Sequence, residues 1–172
     1  MSNYQPVEFR FNGLFNNKEN YLLITGEGLE STHERMNIVL KNIEDQISTV
    51  INYGIAGSLD KDLELESVHH INLILKEDEN KTFQSANKNS KTNCISALNR
   101  VHDINYRNKL AQRAQIVDRE LWAVADICHS FNLPILSVKL MSDYAGKTTD
   151  TKRLIKEAKE YSRKLYEYYI DY

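Results

Sequence analysis

Between Tyr21 and Tyr53 the apolar period switches from strand to helix and back, and that switch limits the folds open to this chain. Tyr21-Leu22-Leu23-Ile24-Thr25 is a β-rich run closed by Gly26-Glu27-Gly28. Met36, Val39, Leu40, Ile43 and Ile47 then recur at helical intervals, with Glu34, Lys41, Glu44 and Asp45 on other faces. Ser31 with Glu34 three residues on reads as a capping box. Thr49-Val50-Ile51-Asn52-Tyr53 returns to a strand, which Gly54 stops. Strand, glycine loop, helix, strand is α/β order, and the helical crossover predicts parallel pairing.

The same punctuation marks the rest of the chain. Residues 7–11 alternate apolar and polar, predicting a strand that pairs as a hairpin with 21–25 through a turn at Asn16-Asn17-Lys18. Further strands are predicted over 68–75, 94–98, 114–117 and 134–140, and helices over 106–113, 121–131 and 151–169. The polar stretches 77–93 and 142–149 read as loops, the first long enough to carry function if ordered. With neither a repeat nor a linker in view, residues 1–172 are expected to form a single domain.

Composition excludes several function classes. The 22 Lys and Arg against 24 Asp and Glu leave a net charge of −2, unlike the clustered basic surface of a dedicated nucleic-acid binder. A 41% hydrophobic content excludes wholesale disorder. No apolar run approaches the ~18 residues a membrane helix needs. The first residues lack a secretory pattern, so a cytoplasmic protein is expected. Cys94 and Cys128 have no metal spacing, and adjacent His69 and His70 face opposite sides of a strand. His129 has no second ligand at metal-like spacing, so neither a metal nor another cofactor is expected. Lys147, Lys152, Arg153 and Lys156 read as a solvated helix face, and Tyr161, Tyr166, Tyr168, Tyr169 and Tyr172 as packing or interface residues.

Three clusters remain as candidates for chemistry, each expected where a strand ends, the edge at which open α/β sheets bind ligands. Thr25-Gly26-Glu27-Gly28 precedes a helix, and its amides are suited to an anion or a nucleophilic water, although a plain tight turn explains it as well. Asn52-Tyr53-Gly54-Ile55-Ala56-Gly57-Ser58 has two glycines that allow close approach of a ligand or of a packed neighbour. Asp118-Arg119-Glu120 and Ser142-Asp143 place acids near helix starts, where capping is their ordinary role.

In this order the clusters resemble the nucleoside phosphorylase superfamily, particularly its nucleosidase branch. Ile24-Thr25-Gly26-Glu27-Gly28 resembles the family's glycine loop, and Ile51 to Leu59 its Asn-Thr-Gly-x-Ala-Gly strand end. Val117-Asp118-Arg119-Glu120 resembles the ribose-binding segment, and Val138 to Asp143 the Ser-Asp acid segment. The likeness runs from about residue 7 to the C-terminus. It implies a three-layer α/β/α fold with a central mixed sheet, and cleavage of a nucleoside N-ribosyl bond. Asp143 then occupies the position of the general acid at the purine N7, and Ser142 orients it. Glu120 matches the glutamate that grips the ribose hydroxyls. Asp118, Arg119, Ala56 and Gly57 complete the substrate contacts, and Gly26, Glu27 and Gly28 the nucleophile or anion loop. The implied partner is a small nucleoside, with phosphate as the alternative to water, in a homo-oligomer such as a homodimer.

Departures from the pattern bear on activity. Arg119 stands where the family has a Met packed on the ribose, and Asn52 where many phosphorylases have a phosphate-binding Arg; the second favours water over phosphate. The chain opens at what resembles the second family strand, so a preceding water-activating carboxylate has no counterpart. An exposed sheet edge, open to pairing with another copy, is expected there. The rival to a nucleosidase is a non-catalytic relative that binds a nucleoside or serves as a subunit.

Overall fold

The computed structural model describes residues 5–6, 11–17, 19–146 and 151–171. A small antiparallel sheet comes first, from β1 (Gln5–Pro6), β2 (Leu14–Asn16) and β3 (Tyr21–Leu23). Residues 7–10 of the predicted first strand, and Lys18 of its turn, lie outside the described residues. The described hairpin pairs Leu14 with Leu23 and Asn16 with Tyr21, so it is tighter than the sequence pattern predicts. Asn17 closes it, its side-chain Oδ1 accepting from the backbone amides of Glu19 and Asn20.

Helix α1 (Leu29–Ile43) follows, with Gly28 as its N-cap and no side-chain cap. The predicted capping box is therefore absent. Ser31 lies inside the helix and donates back to the Thr25 carbonyl instead. Buried Met36, Val39, Leu40 and Ile43 confirm the predicted apolar stripe.

The main sheet is mixed and six-stranded, comprising β4 (Val50–Ser58), β5 (Val68–Lys76), β6 (Phe83–Gln84), β7 (Thr92–Ser96), β8 (Ile116–Asp118) and β9 (Ile135–Tyr144). Their order is β6-β5-β7-β8-β4-β9, and β5 also pairs with β9. The ring closes because β5 is long: Val68–His70 meet β9 antiparallel, while Ile71–Lys76 run parallel to β7. Closure gives Val68–His70 and Val138–Leu140 backbone partners in each other. The predicted parallel pairing across α1 is not found. Strand β3 stays in the small sheet, and β4 pairs in parallel with β9.

Alternation along the strands sorts the core into two layers. Cys94, Ile116, Ile71 and Ile74 face α1 and α3 (Leu121–Ser130), packing with Met36, Leu40, Leu121, Val124 and Cys128. Ile95 and Val117, one residue along, face α2 (Ile104–Ala111) and pack with Leu110 and Ala114. Each fully buried Ile or Leu contributes about 1.5–3 kcal/mol. Asp103 caps α2, accepting from the amides of Asn105 and Tyr106 at 2.9 Å. The last helix, α4 (Thr151–Asp171), crosses β4 and β9, with Tyr169 meeting Tyr53 edge-on. Helices on both faces of a central mixed sheet are the expected architecture. None of the described helices is long and apolar enough to cross a membrane.

Candidate active site

A cleft of about 360 Å³ opens where α4 crosses the sheet. Its lining joins residues from all three sequence clusters: Glu27, Ala56 with Gly57, Asp118 to Glu120, and Ser142 with Asp143. They do not all sit at strand ends. Ala56 and Gly57 lie within β4, and Ser142 and Asp143 on β9 itself, not in the predicted loop. Residues 147–150 of that loop lie outside the described residues.

Asp143 is half-buried, and Ser142 fixes it. The Ser142 Oγ lies 2.7 Å from Asp143 Oδ1 and 3.2 Å from the Ala56 carbonyl oxygen, so its single proton favours the nearer carboxylate. Arg153 donates to the Ser142 carbonyl at 3.0 Å, tying α4 to this point. Arg153 is therefore not simply part of a solvated face. Gly57 is small for a packing reason as well. A Cβ there would stand 3.2 Å from Ala145 Cβ and 3.4 Å from Val117 Cγ1, so glycine lets β4 approach its neighbours.

Glu120 is the N-cap residue of α3, and its side chain turns away from that helix. Its Oε1 accepts from the Gly28 amide at 2.7 Å and its Oε2 from the Arg119 amide at 3.2 Å. Gly28 has φ 93°, a left-handed conformation that side chains resist, and this geometry aims its amide at Glu120. The glycine-loop amide at Gly28 is thus engaged by a carboxylate of the chain. Burial raises the Glu120 pKa above its ordinary value, and the nearby Asp118 charge adds to the rise.

Asp118 lines the cleft but spends its oxygens inward. Its Oδ1 accepts from Ser96 Oγ at 2.6 Å, and its Oδ2 accepts from the Leu121 amide at 2.9 Å. Lys139 Nζ lies 2.7 Å from the same Oδ2, and both side chains are essentially buried. This ion pair reaches from β8 to β9 across β4, passing over Gly54, where a Cβ would stand 3.3 Å from the ammonium. Sequence reasoning missed Lys139; its one signal is a charged residue within the run 134–140, whose other residues are apolar apart from Ser137.

Glu27 meets two guanidinium groups. Arg100 Nη2 and Arg119 Nη1 approach its Oε1 at 2.7 and 2.6 Å. Arg100 follows β7, and nothing in the sequence pattern marks it. Asn52 is not among the cleft residues; it accepts from Ser137 Oγ at 3.2 Å, so its bearing on phosphate is lost. Among the described residues no group of three His, Cys, Asp or Glu is placed to hold a metal ion.

No protein-family model and no curated protein matches the sequence. Solved structures do match. A 5'-methylthioadenosine/S-adenosylhomocysteine nucleosidase of S. pneumoniae with a transition-state inhibitor superposes at TM-score 0.81 and 16% identity, over 96% of this chain and 86% of that one. This chain has a nucleoside phosphorylase-like fold. A Helicobacter pylori nucleosidase mutant with 5'-methylthioadenosine in its active site gives TM-score 0.80 at 13% identity, over 98% and 87% of the two chains. A mutant of the futalosine hydrolase of the same organism gives 0.78 at 13%, over 95% and 85%. The fold implied by the sequence motifs is thus the one observed.

Proposed function

We propose that the cleft hydrolyses the N-glycosidic bond of a purine nucleoside or 5'-thio-nucleoside. The observation that carries this reading is Asp143, held by Ser142 in the same cleft as Glu120. In the proposed reaction the bond to the sugar breaks with its electron pair passing to the base. Asp143 delivers a proton at N7, while water adds to C1' and loses a proton. Glu120 accepts from the ribose hydroxyls and faces the cationic sugar of the transition state. Methylthioadenosine/adenosylhomocysteine nucleosidases and a futalosine hydrolase among the solved structures of this fold support the choice.

The test is incubation with methylthioadenosine, adenosylhomocysteine, inosine and adenosine, with and without phosphate. Free base is expected from at least one, in phosphate-free buffer. Strict phosphate dependence with ribose 1-phosphate as product would establish a phosphorylase instead. A second reading, a non-catalytic nucleoside-binding relative, is favoured by Glu27, whose Oε1 is already engaged by two arginines. No base release from any of the four, with binding retained, would select it.

The raised Glu120 pKa gives a signed pH dependence. Only the ionised carboxylate accepts from two hydroxyls, so affinity is full above the raised pKa and is lost as pH falls through it. The loss is expected at a higher pH than for an ordinary glutamate. Titrating the Kd of a nucleoside against pH measures it, and Glu120→Gln is expected to abolish the dependence.

A homodimer, a cytoplasmic location and a place in purine catabolism belong to the same proposal. The exposed apolar Ile155, Tyr166 and Ile170 of α4 support the first.

A further inference from the structure

The functional side chains lie in sequence across the sheet. Arg100 follows β7, Arg119 and Glu120 follow β8, Ala56 and Gly57 sit on β4, and Ser142 and Asp143 on β9. Strands β8 and β9 are two steps apart, roughly 10 Å at the usual strand spacing. A nucleoside spans that distance. With its base at Asp143 and its ribose hydroxyls on Glu120, its 5' end is directed toward β7.

At that end stand the two guanidinium groups. Arg100 Nη2 and Nε lie 2.7 and 3.1 Å from Glu27 Oε1, and Arg119 Nη1 lies 2.6 Å from the same atom. Three donors thus converge on one carboxylate oxygen, which stands where an oxygen of a ligand anion would be held. Glu120 and Asp143 line the same cleft, so the selectivity for an anion rests on the paired guanidinium groups and not on a net positive charge. In addition, Arg119 Nε is buried without a hydrogen-bond partner, and such a donor is costly unless something is supplied to it. An apolar 5' substituent would leave that donor unmet and face charge.

We infer that this cleft takes a nucleoside carrying an anionic group at its 5' end, a 5'-monophosphate being the simplest, with Arg100 and Arg119 holding the anion in exchange for Glu27. The inference rests on the base and sugar orientation of the proposed function. The bond broken is the same: water adds to C1', the base leaves with a proton, and the phosphoryl group is untouched.

The experiment compares AMP with adenosine by calorimetric titration and by adenine release, for the intact chain and for Arg100→Ala and Glu27→Gln. Both substituted residues are on the exposed side of the cleft, and circular dichroism confirms that the variants fold. AMP is expected to bind roughly 10–100-fold more tightly than adenosine, the effect of about one net charge-assisted contact. Arg100→Ala is expected to collapse that ratio, and Glu27→Gln to raise AMP affinity by removing the competing carboxylate. Equal affinities, or a ratio that survives Arg100→Ala, overturn the inference. Adenosine cleavage stimulated by inorganic phosphate also overturns it, because the arginines would then serve a free co-substrate. Adenosine turned over without preference for AMP defeats this inference and leaves the nucleosidase reading standing. An Arg100-dependent preference for AMP in binding, with no base released, does the reverse.

Discussion

Asp143→Asn is expected to lower turnover about 10²–10⁴-fold while the protein stays folded. Asparagine keeps an oxygen that accepts from Ser142 Oγ, now 2.7 Å from Asp143 Oδ1, so the geometry of the site survives. What is lost is the proton for the departing base. The interaction belongs to the transition state, so kcat falls while KM changes little. Steady-state rates on the best nucleoside, with circular dichroism as the fold control, measure it. Near-normal base release from the folded variant would take Asp143 out of the acid role. It would then be a residue of local structure, with a stability loss of about 1 kcal/mol as its only signature.

Lys139→Met is expected to destabilise the fold by about 3–5 kcal/mol, the largest stability effect of any substitution considered. Methionine fills a similar volume. It leaves the Asp118 carboxylate buried, however, with only Ser96 Oγ and the Leu121 amide to hold the charge. Asp118→Asn is expected to cost a similar amount by stranding the ammonium. The double variant Asp118→Asn, Lys139→Met removes both charges and is expected to recover most of the loss. At about 2–4 °C per kcal/mol for a domain of this size, each single variant lowers Tm by roughly 10 °C, and thermal unfolding reads it. Burial works against the Lys139 ammonium, but the Asp118 carboxylate and its negative neighbours outweigh it and raise the pKa above 10.5. The stabilisation that Lys139 itself contributes is therefore full below the ordinary lysine value and is lost as pH rises through the raised one. A double variant as unstable as the singles would show that the strands need the ion pair itself and not merely an absence of charge.

Much of this molecule is visible in one dimension. The stripe of Met36, Val39, Leu40 and Ile43, and the face Leu121, Val124, Ala125 and Cys128, are read directly from spacing, because a helix repeats every 3.6 residues wherever it packs. The strands over Cys94-Ile95 and Ile116-Val117 are legible too, although that their neighbouring residues enter two separate core layers is seen only in the fold. The order of the glycine loop, the β4 segment, the Asp118–Glu120 segment and Ser142-Asp143 is also legible, and it leads to the observed fold. Periodicity says which face of an element is apolar. It does not name the neighbour. The closure of β5 on β9, the confinement of β3 to a small separate sheet, and the pairing of β4 with β9 follow from long-range packing and hydrogen bonding, which no local window contains. For the same reason Arg100 and Glu27, 73 residues apart, meet in the cleft without any sequence signal. Lys139 finds Asp118 only because β8 and β9 flank the same strand, and Asn52 leaves the site only because β4 carries it away from the cleft. A side chain's chemistry is fixed by its type, whereas its partner, and hence its role, is fixed by which backbone segments the folded core brings together.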